Sequence, residues 1–228
     1  MALRHATFTD ENLRLPEDAF SFEGFQRWVE SEDFPDTGRI DYLAGDVEID
    51  MSPEDLYTHG LVKGAIHAAL QQLIIGRLGD VYTDKARISS RFAGLSVEPD
   101  VVIVLFDTLK SGRVRYVPAA VQQPDRFSGI EGAVDLVVEV VSDGSKNKDL
   151  KRLPPLYAKT GIPEFWLADA RGGKVSFHIH TLEEGKYVPV EADAEGWTPS
   201  PRLGLSFRLL RLQSLISTPY FVLENRPA

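Results

Sequence analysis

Two stretches of the chain decide its fold class: Pro99-Asp-Val-Val-Ile-Val-Leu-Phe106 and Asp135-Leu-Val-Val-Glu-Val-Val141. Both are almost continuously apolar and rich in β-branched residues, which is the pattern of a strand buried on both faces of a sheet. Each also contains a carboxylate inside or beside the apolar run, Asp100 in the first and Glu139 in the second. A buried charge is costly unless it is paired or binds a metal, so these two acids are the first candidates for a functional site.

The flanking sequence predicts the remaining elements and the order in which they occur. The predicted elements are a short helix capped by Ser21, strands at 39–43 and 46–51, a long helix starting at Ser52-Pro53-Glu54-Asp55 and ending near Gly76 or Gly79, strands at 81–83, 86–92 and 114–117, a partly helical segment at 147–160 closed by Gly161, and a hairpin of 164–169 with 174–180. This order predicts an α/β (α+β) fold, with a mixed β-sheet flanked by helices and extra antiparallel strands.

The length and composition are consistent with one compact unit. The chain has 228 residues, 43% of them hydrophobic, and no linker-like stretch divides it. We therefore expect a single domain over residues 1–228, with a core at about 20–210, an irregular N-terminal arm and an irregular C-terminal tail.

Cysteine usage and net charge narrow the classes of function. The absence of cysteine excludes disulfides, thiolate metal sites and a cysteine nucleophile, and it fits a cytoplasmic protein. No secretory signal or membrane-spanning stretch is recognisable, so no membrane partner is expected. The net charge of −9 does not attract nucleic acid, which means that nucleic-acid binding would depend on local cations or a bound metal.

The pair of strand carboxylates favours a divalent cation. Two acids brought together in a core repel each other, and a bound cation removes that repulsion. Oxygen ligands without cysteine or nearby histidine favour Mg²⁺ or Mn²⁺ over zinc. The alternative is structural: each acid would pair with an arginine or cap a turn.

Five motifs of the sequence together resemble a known family. They are Glu98-Pro-Asp-Val-Val-Ile-Val104, Asp135-Leu-Val-Val-Glu-Val-Val-Ser142, Lys148-Asp149, Leu156-Tyr157-Ala158 and Gly161-Ile-Pro-Glu-Phe-Trp-Leu-Ala-Asp169. In this combination and order the chain resembles the Uma-two family of putative restriction endonucleases, within the PD-(D/E)XK nuclease superfamily, over roughly residues 20–210. The resemblance implies a restriction endonuclease-like fold.

The resemblance also implies roles for particular residues. Asp100 matches the aspartate of the Pro-Asp motif and Glu139 the acid of the second motif, both metal ligands and catalytic. The backbone carbonyl of Val140 would be a further metal ligand. Asp41 matches an acid on the first hairpin that could hold or orient the metal, and His59 falls on an early helical histidine of the family.

The catalytic lysine is where this sequence departs from the pattern. The superfamily places a lysine two residues after the second acid, where this chain has Val141, and the Uma-two pattern places one at the position of Leu153. Lys151 is the best candidate for a displaced lysine, because the prolines after Leu153 make a regular helix before them doubtful. Lys148 and Asp149 are accessory candidates.

The resulting functional hypothesis is a Mg²⁺- or Mn²⁺-dependent endonuclease that hydrolyses phosphodiesters, with DNA as the expected substrate and a homodimer as the expected assembly. The alternative is a catalytically degraded nuclease fold that serves as a nucleic-acid or protein interaction module. A hydrolase of small phosphate esters is a third hypothesis, which would suit an acidic surface.

Overall fold

The structure is a computed structural model that describes residues 14–119 and 124–228, so the predicted N-terminal arm falls mostly outside the described residues. The helices are α1 (Phe22–Val29), α2 (Val62–Ile74), α3 (Phe106–Ser111) and α4 (Leu153–Thr160), with a 3₁₀ turn at Glu17–Phe20 and π-helical segments at Leu56–Leu61 and Lys148–Arg152. The strands are β1 (Arg39–Leu43), β2 (Asp46–Asp50), β3 (Gly79–Thr83), β4 (Ile88–Ser90), β5 (Leu95–Val97), β6 (Val101–Leu105), β7 (Val114–Pro118), β8 (Phe127–Gly132), β9 (Leu136–Val140), β10 (Glu164–Asp169), β11 (Ser176–Glu183), β12 (Lys186–Pro189), β13 (Thr198–Ser200), β14 (Leu205–Gln213) and β15 (Pro219–Pro227).

A mixed central sheet contains both of the strands that decide the fold. Its strand order is β12-β11-β10-β9-β6-β3; β9 and β10 run parallel and the other pairs run antiparallel. The predicted α/β fold class, with helices flanking a mixed sheet, is therefore confirmed. In the β6–β9 register Val101 is opposite Val138, which brings the start of β6 beside the end of β9.

A second sheet and α4 cover one face of the central sheet. The second sheet has the order β2-β1-β5-β4-β8-β7. Alternate residues of β6 and β9, such as Val102 and Val137, pack with Leu95 of β5 and with Leu153 and Tyr157 of α4. This layer matters for function because β1 and α4 bring polar side chains to the ends of β6 and β9.

The opposite face of the central sheet packs against α2 and the three-stranded sheet β13-β14-β15. Phe207 and Leu209 of β14 and Phe221 and Leu223 of β15 are buried in this core. The structure thus has a long antiparallel pair where an irregular C-terminal tail was expected, because alternate residues of both strands are apolar and face α2.

The long helix also begins later than predicted. Asp55, rather than Ser52, caps it, since the Asp55 carboxylate accepts hydrogen bonds from the backbone N–H groups of Tyr57 and Thr58. Ser52 instead donates its own N–H to Asp50 at 2.8 Å. None of the helices in the described ranges combines the length and the apolar character needed to cross a membrane.

Candidate active site

Asp100 and Glu139 are neighbours, as the sequence predicted. Asp100 directly precedes β6, Glu139 lies in β9, and both side chains are almost completely buried. Asp100 Oδ2 accepts a hydrogen bond of 2.7 Å from the Val140 backbone N–H. The N–H and carbonyl of a strand residue point to the same side, so the Val140 carbonyl is expected to face the same edge as this carboxylate.

Two basic side chains contact Asp100. Arg39, at the start of β1, places Nη2 2.8 Å from Asp100 Oδ1, and His59 places Nε2 3.3 Å from Oδ2. Burial alone would raise the pKa of Asp100, but the hydrogen bond from His59 and the charge of Arg39 outweigh it and hold this pKa below its usual range. Asp100 is therefore an anion at neutral pH.

Asp41 and Lys148 form a second buried pair beside the first. Lys148 Nζ donates to Asp41 Oδ2 at 2.8 Å, and both side chains are less than 5% exposed. Asp41 is on β1, two residues from Arg39, so both side chains leave the strand on the same face. The other oxygen of Asp41 accepts the Glu98 backbone N–H at 3.1 Å, which fixes its orientation.

Glu139 and Asp149 are the acids whose charges are least compensated. Glu139 accepts a hydrogen bond from the Tyr157 hydroxyl, and burial together with the nearby Asp149 and Asp100 raises the Glu139 pKa well above its usual value. Burial likewise raises the pKa of Asp149 to about 6, although the Ser145 hydroxyl and Lys148 oppose the shift. Asp149 Oδ1 is buried and has no hydrogen-bond partner among the described residues.

The structure brings Lys148, and not Lys151, to the acids. The Lys151 side chain is exposed and makes no hydrogen bond or ion pair with the described part of the chain. The segment Lys148–Arg152 is π-helical, so its side chains are spaced differently from those of a regular α-helix. Lys148 and Asp149 consequently point inward, and Leu153 is buried in the apolar core.

Sequence reasoning missed Arg39 and the polar chain behind His59. His59 Nδ1 lies 2.8 Å from Glu54 Oε1, and Lys63 Nζ lies 2.5 Å from the same oxygen and 2.7 Å from Asp84 Oδ1. The only local signal was the i, i+4 spacing of His59 and Lys63. Arg39 and Asp100 are 61 positions apart, a separation at which pattern gives no information.

The spacing of the ligand atoms differs from that expected for Asp41, Asp100 and Glu139. Within the described residues, the group whose carboxylate and imidazole atoms all lie within 4.8 Å of one another is Glu54, His59 and Asp100. Between the predicted carboxylates lie two basic side chains, since Arg39 pairs with Asp100 and Lys148 pairs with Asp41. The predicted donor set still fits a hard divalent cation, because Asp41, Asp100 and Glu139 are buried carboxylates and the unpartnered oxygen of Asp149 lies near Glu139.

The comparisons with known proteins place this mixed α/β protein in a family. A family model described as "Uma2: Putative restriction endonuclease" matches residues 22–213, and the chain belongs to this family. A solved structure described as a putative nuclease belonging to DUF820 from Anabaena variabilis is similar with a TM-score of 0.58 and 15% identity, covering 80% of this chain and 90% of that one. At this identity the likeness shows the fold. No curated protein matches the chain.

Proposed function

We propose that this protein is a divalent-metal-dependent endonuclease that hydrolyses phosphodiester bonds of DNA. Asp100 and Glu139 would hold Mg²⁺ or Mn²⁺ with the Val140 carbonyl, and Asp41 would hold or orient the ion. The bound ion would supply an activated water and neutralise charge on the scissile phosphate. Membership of the restriction endonuclease family and the buried carboxylates support the proposal.

The observation that carries the proposal is the position of Lys148. Its ammonium group is held by Asp41 inside the same buried cluster as Asp100 and Glu139, and the charges of Lys148 and Glu139 influence each other. A lysine at this place would orient the attacking water and stabilise the charge that develops on the phosphate. Lys148 therefore takes the role for which sequence reasoning favoured Lys151.

The first experiment measures cleavage of plasmid DNA with Mg²⁺ or Mn²⁺ by wild type, Asp100→Asn and Glu139→Gln. We expect each substitution to reduce the rate by about 100-fold or more, since each removes a ligand of the proposed ion. Isothermal titration with Mn²⁺ should show binding by wild type that both variants lose. Cleavage that is unchanged in both variants, or that persists in excess chelator, would contradict the site assignment.

The second experiment compares two lysines on the same segment. Lys148→Ala should reduce the cleavage rate by about 100-fold with little loss of Mn²⁺ binding, whereas exposed Lys151→Ala should cleave like wild type. Because Lys148 is buried, Lys148→Met serves as a second variant that preserves packing. Equal effects at the two positions would remove Lys148 from the mechanism.

The second candidate function is an interaction module with a degraded active site. It is favoured by the spacing of the ligand atoms, since Arg39 and Lys148 already neutralise Asp100 and Asp41. This candidate predicts that the chain binds DNA or a protein without requiring a metal and without cutting DNA. A filter-binding assay beside the cleavage assay separates the two functions.

The proposal includes a homodimer, because two active sites would be needed to cut both strands at one place. Light scattering coupled to size-exclusion chromatography, with and without duplex DNA, tests it. A protein that stays monomeric with DNA and only nicks one strand would contradict this part. A cytoplasmic location is likewise part of the proposal.

A further inference from the structure

We propose that Arg39 is an internal counter-ion that a divalent cation must displace from Asp100, and that the displaced guanidinium then binds the substrate phosphate. The inference rests on the proposed function and assigns a role that neither the fold nor the family description gives to this residue. It concerns how metal and substrate enter the same site in turn.

The first step is that both oxygens of Asp100 already have partners, and that Arg39 is the partner of Oδ1. Arg39 Nη2 lies 2.8 Å from Oδ1, while Oδ2 accepts from the Val140 N–H at 2.7 Å and lies 3.3 Å from His59 Nε2. The Val140 N–H belongs to the backbone of β9, whose position is fixed by the fold. Arg39 is a side chain, so it is the partner that can leave.

The second step is that there is space next to Arg39 into which its side chain can move. Its side chain is 22% exposed, whereas that of Lys148 is only 4% exposed. Arg39 lines a cavity of about 190 Å³ that is also bordered by His59 and by the acids Asp50 and Glu54. A small rotation about its long side chain would carry the guanidinium from the carboxylate into this cavity.

The third step is charge balance. Four carboxylates, Asp41, Asp100, Glu139 and Asp149, lie close enough to interact with Arg39 or Lys148. Without an ion, these two basic side chains hold the acids together. A divalent cation brings two positive charges into the same volume, so keeping Arg39 on Asp100 would place cation against cation. Ion binding therefore pushes the guanidinium outward.

The fourth step is what the released group can do. A guanidinium forms two parallel hydrogen bonds to a phosphate, and the cavity into which Arg39 turns is bordered by His59, which contacts the proposed metal ligand Asp100. It would supply local positive charge on a chain whose net charge is −9. Arg39 thus weakens binding of the metal and strengthens binding of the phosphodiester.

The test measures Mn²⁺ affinity by isothermal titration for wild type, Arg39→Ala and Arg39→Gln. We expect both variants to bind Mn²⁺ about tenfold more tightly, because the competing hydrogen-bonded cation is gone. At saturating Mn²⁺ the same variants should bind duplex DNA more weakly than wild type. A merely structural arginine would not give these opposite changes.

Arg152→Ala is the matched control. Arg152 also pairs with two carboxylates, Asp46 and Glu48 of β2, and is 32% exposed, but it does not contact Asp100. Its Mn²⁺ affinity should equal that of wild type. Unchanged or weaker Mn²⁺ binding by the Arg39 variants would overturn the inference.

A measurement on wild type covers the case in which the Arg39 variants do not fold. The Arg39 Nε–H resonance, observed by NMR, should shift when Mg²⁺ is added, and a resonance that does not move overturns the inference. If wild type binds no Mg²⁺ or Mn²⁺ at all, the proposed function itself fails. If it binds and Asp100→Asn does not, but Arg39 stays in place, only the inference fails.

Discussion

The strand pair β6–β9 has a buried aspartate at each end, and the two ends are built alike. Asp100 precedes β6 and Asp135 precedes β9, and because the strands are antiparallel the acids lie at opposite ends of the pair. Each accepts a backbone N–H from the other strand at 2.7 Å: Val140 donates to Asp100 and Leu105 to Asp135. The hydrogen bonds from the backbone to the aspartate are therefore equivalent at the two ends.

The side chains around them differ. Asp135 binds both Arg113, at 2.5 Å, and Arg202, whose Nε lies 2.8 Å away, and it also accepts from the Thr108 hydroxyl. We call these four residues the Asp135 cluster. At the other end, Asp41, Asp100, Glu139 and Asp149 share Arg39 and Lys148, and we call these six the Asp100 cluster.

The difference distinguishes a stabilising ion pair from a candidate site. Excess positive charge around one acid, as in the Asp135 cluster, leaves that acid fully compensated. Excess negative charge in a buried place raises the pKa of the least compensated carboxyls, here Glu139 and Asp149, and stabilises a cation that enters. The Asp100 cluster has the second property, although both ends began with the same strand geometry.

The largest difference between the two ends should appear in stability without metal. Asp135→Asn leaves both arginines without their carboxylate and should lower the free energy of unfolding by about 3 kcal/mol or more. Asp100→Asn breaks the contacts with Arg39 and His59 but should cost less, because Arg39 can turn toward Asp41 and Glu139. Urea denaturation measures both. Equal losses would mean that the Asp100 cluster is also a structural ion pair.

A smaller effect should separate the ends when metal is added. Mn²⁺ at about 100 times its dissociation constant should stabilise wild type by about 2.7 kcal/mol. Asp100→Asn should lose this gain. Serine substitution at Arg113, 39% exposed, should keep it despite lower basal stability. Thermal unfolding with and without Mn²⁺ gives the comparison, and a gain that survives in Asp100→Asn places the ion elsewhere.

The smallest expected effect is the pH dependence of Glu139. Its pKa is raised in the folded chain, so the folded state binds the proton more tightly than the unfolded state, and stability is lost as pH rises toward the folded pKa. Glu139→Gln carries no such proton. Without metal, its stability relative to wild type should therefore increase as the pH is raised from about 5 to about 8, above the usual pKa of a glutamate. A constant difference between the two proteins across this range would show that Glu139 is not held protonated.

Sequence was sufficient for the strands and for the acids on them. The apolar runs 101–105 and 136–140 are clear in the sequence. Two strands that are both buried are expected to lie side by side in the middle of a sheet, which brings their acids close together. The long helix and the 164–169 hairpin strand followed from equally local patterns. Local patterns work here because burial on both faces leaves a strong apolar signal.

The partners of those acids could not be found in the same way. Whether Lys148 or Lys151 points inward depends on the π-helical geometry of Lys148–Arg152, which ends where Leu153 enters the core. Local helix propensity does not predict a π-helical segment. Arg39, His59 and Glu54 meet Asp100 only after β1 and α2 have packed against the central sheet. The Asp135 partners Arg113 and Arg202 come from distant segments for the same reason.

The position of β15 has a practical consequence for anyone who prepares shortened versions of this protein. The family match ends at residue 213, whereas β15 spans Pro219–Pro227 and pairs along the full length of β14. Cutting at the family boundary would remove Phe221 and Leu223 and uncover the apolar side of α2. Such a fragment should be expressed poorly or aggregate, and its lack of activity would say nothing about the catalytic residues.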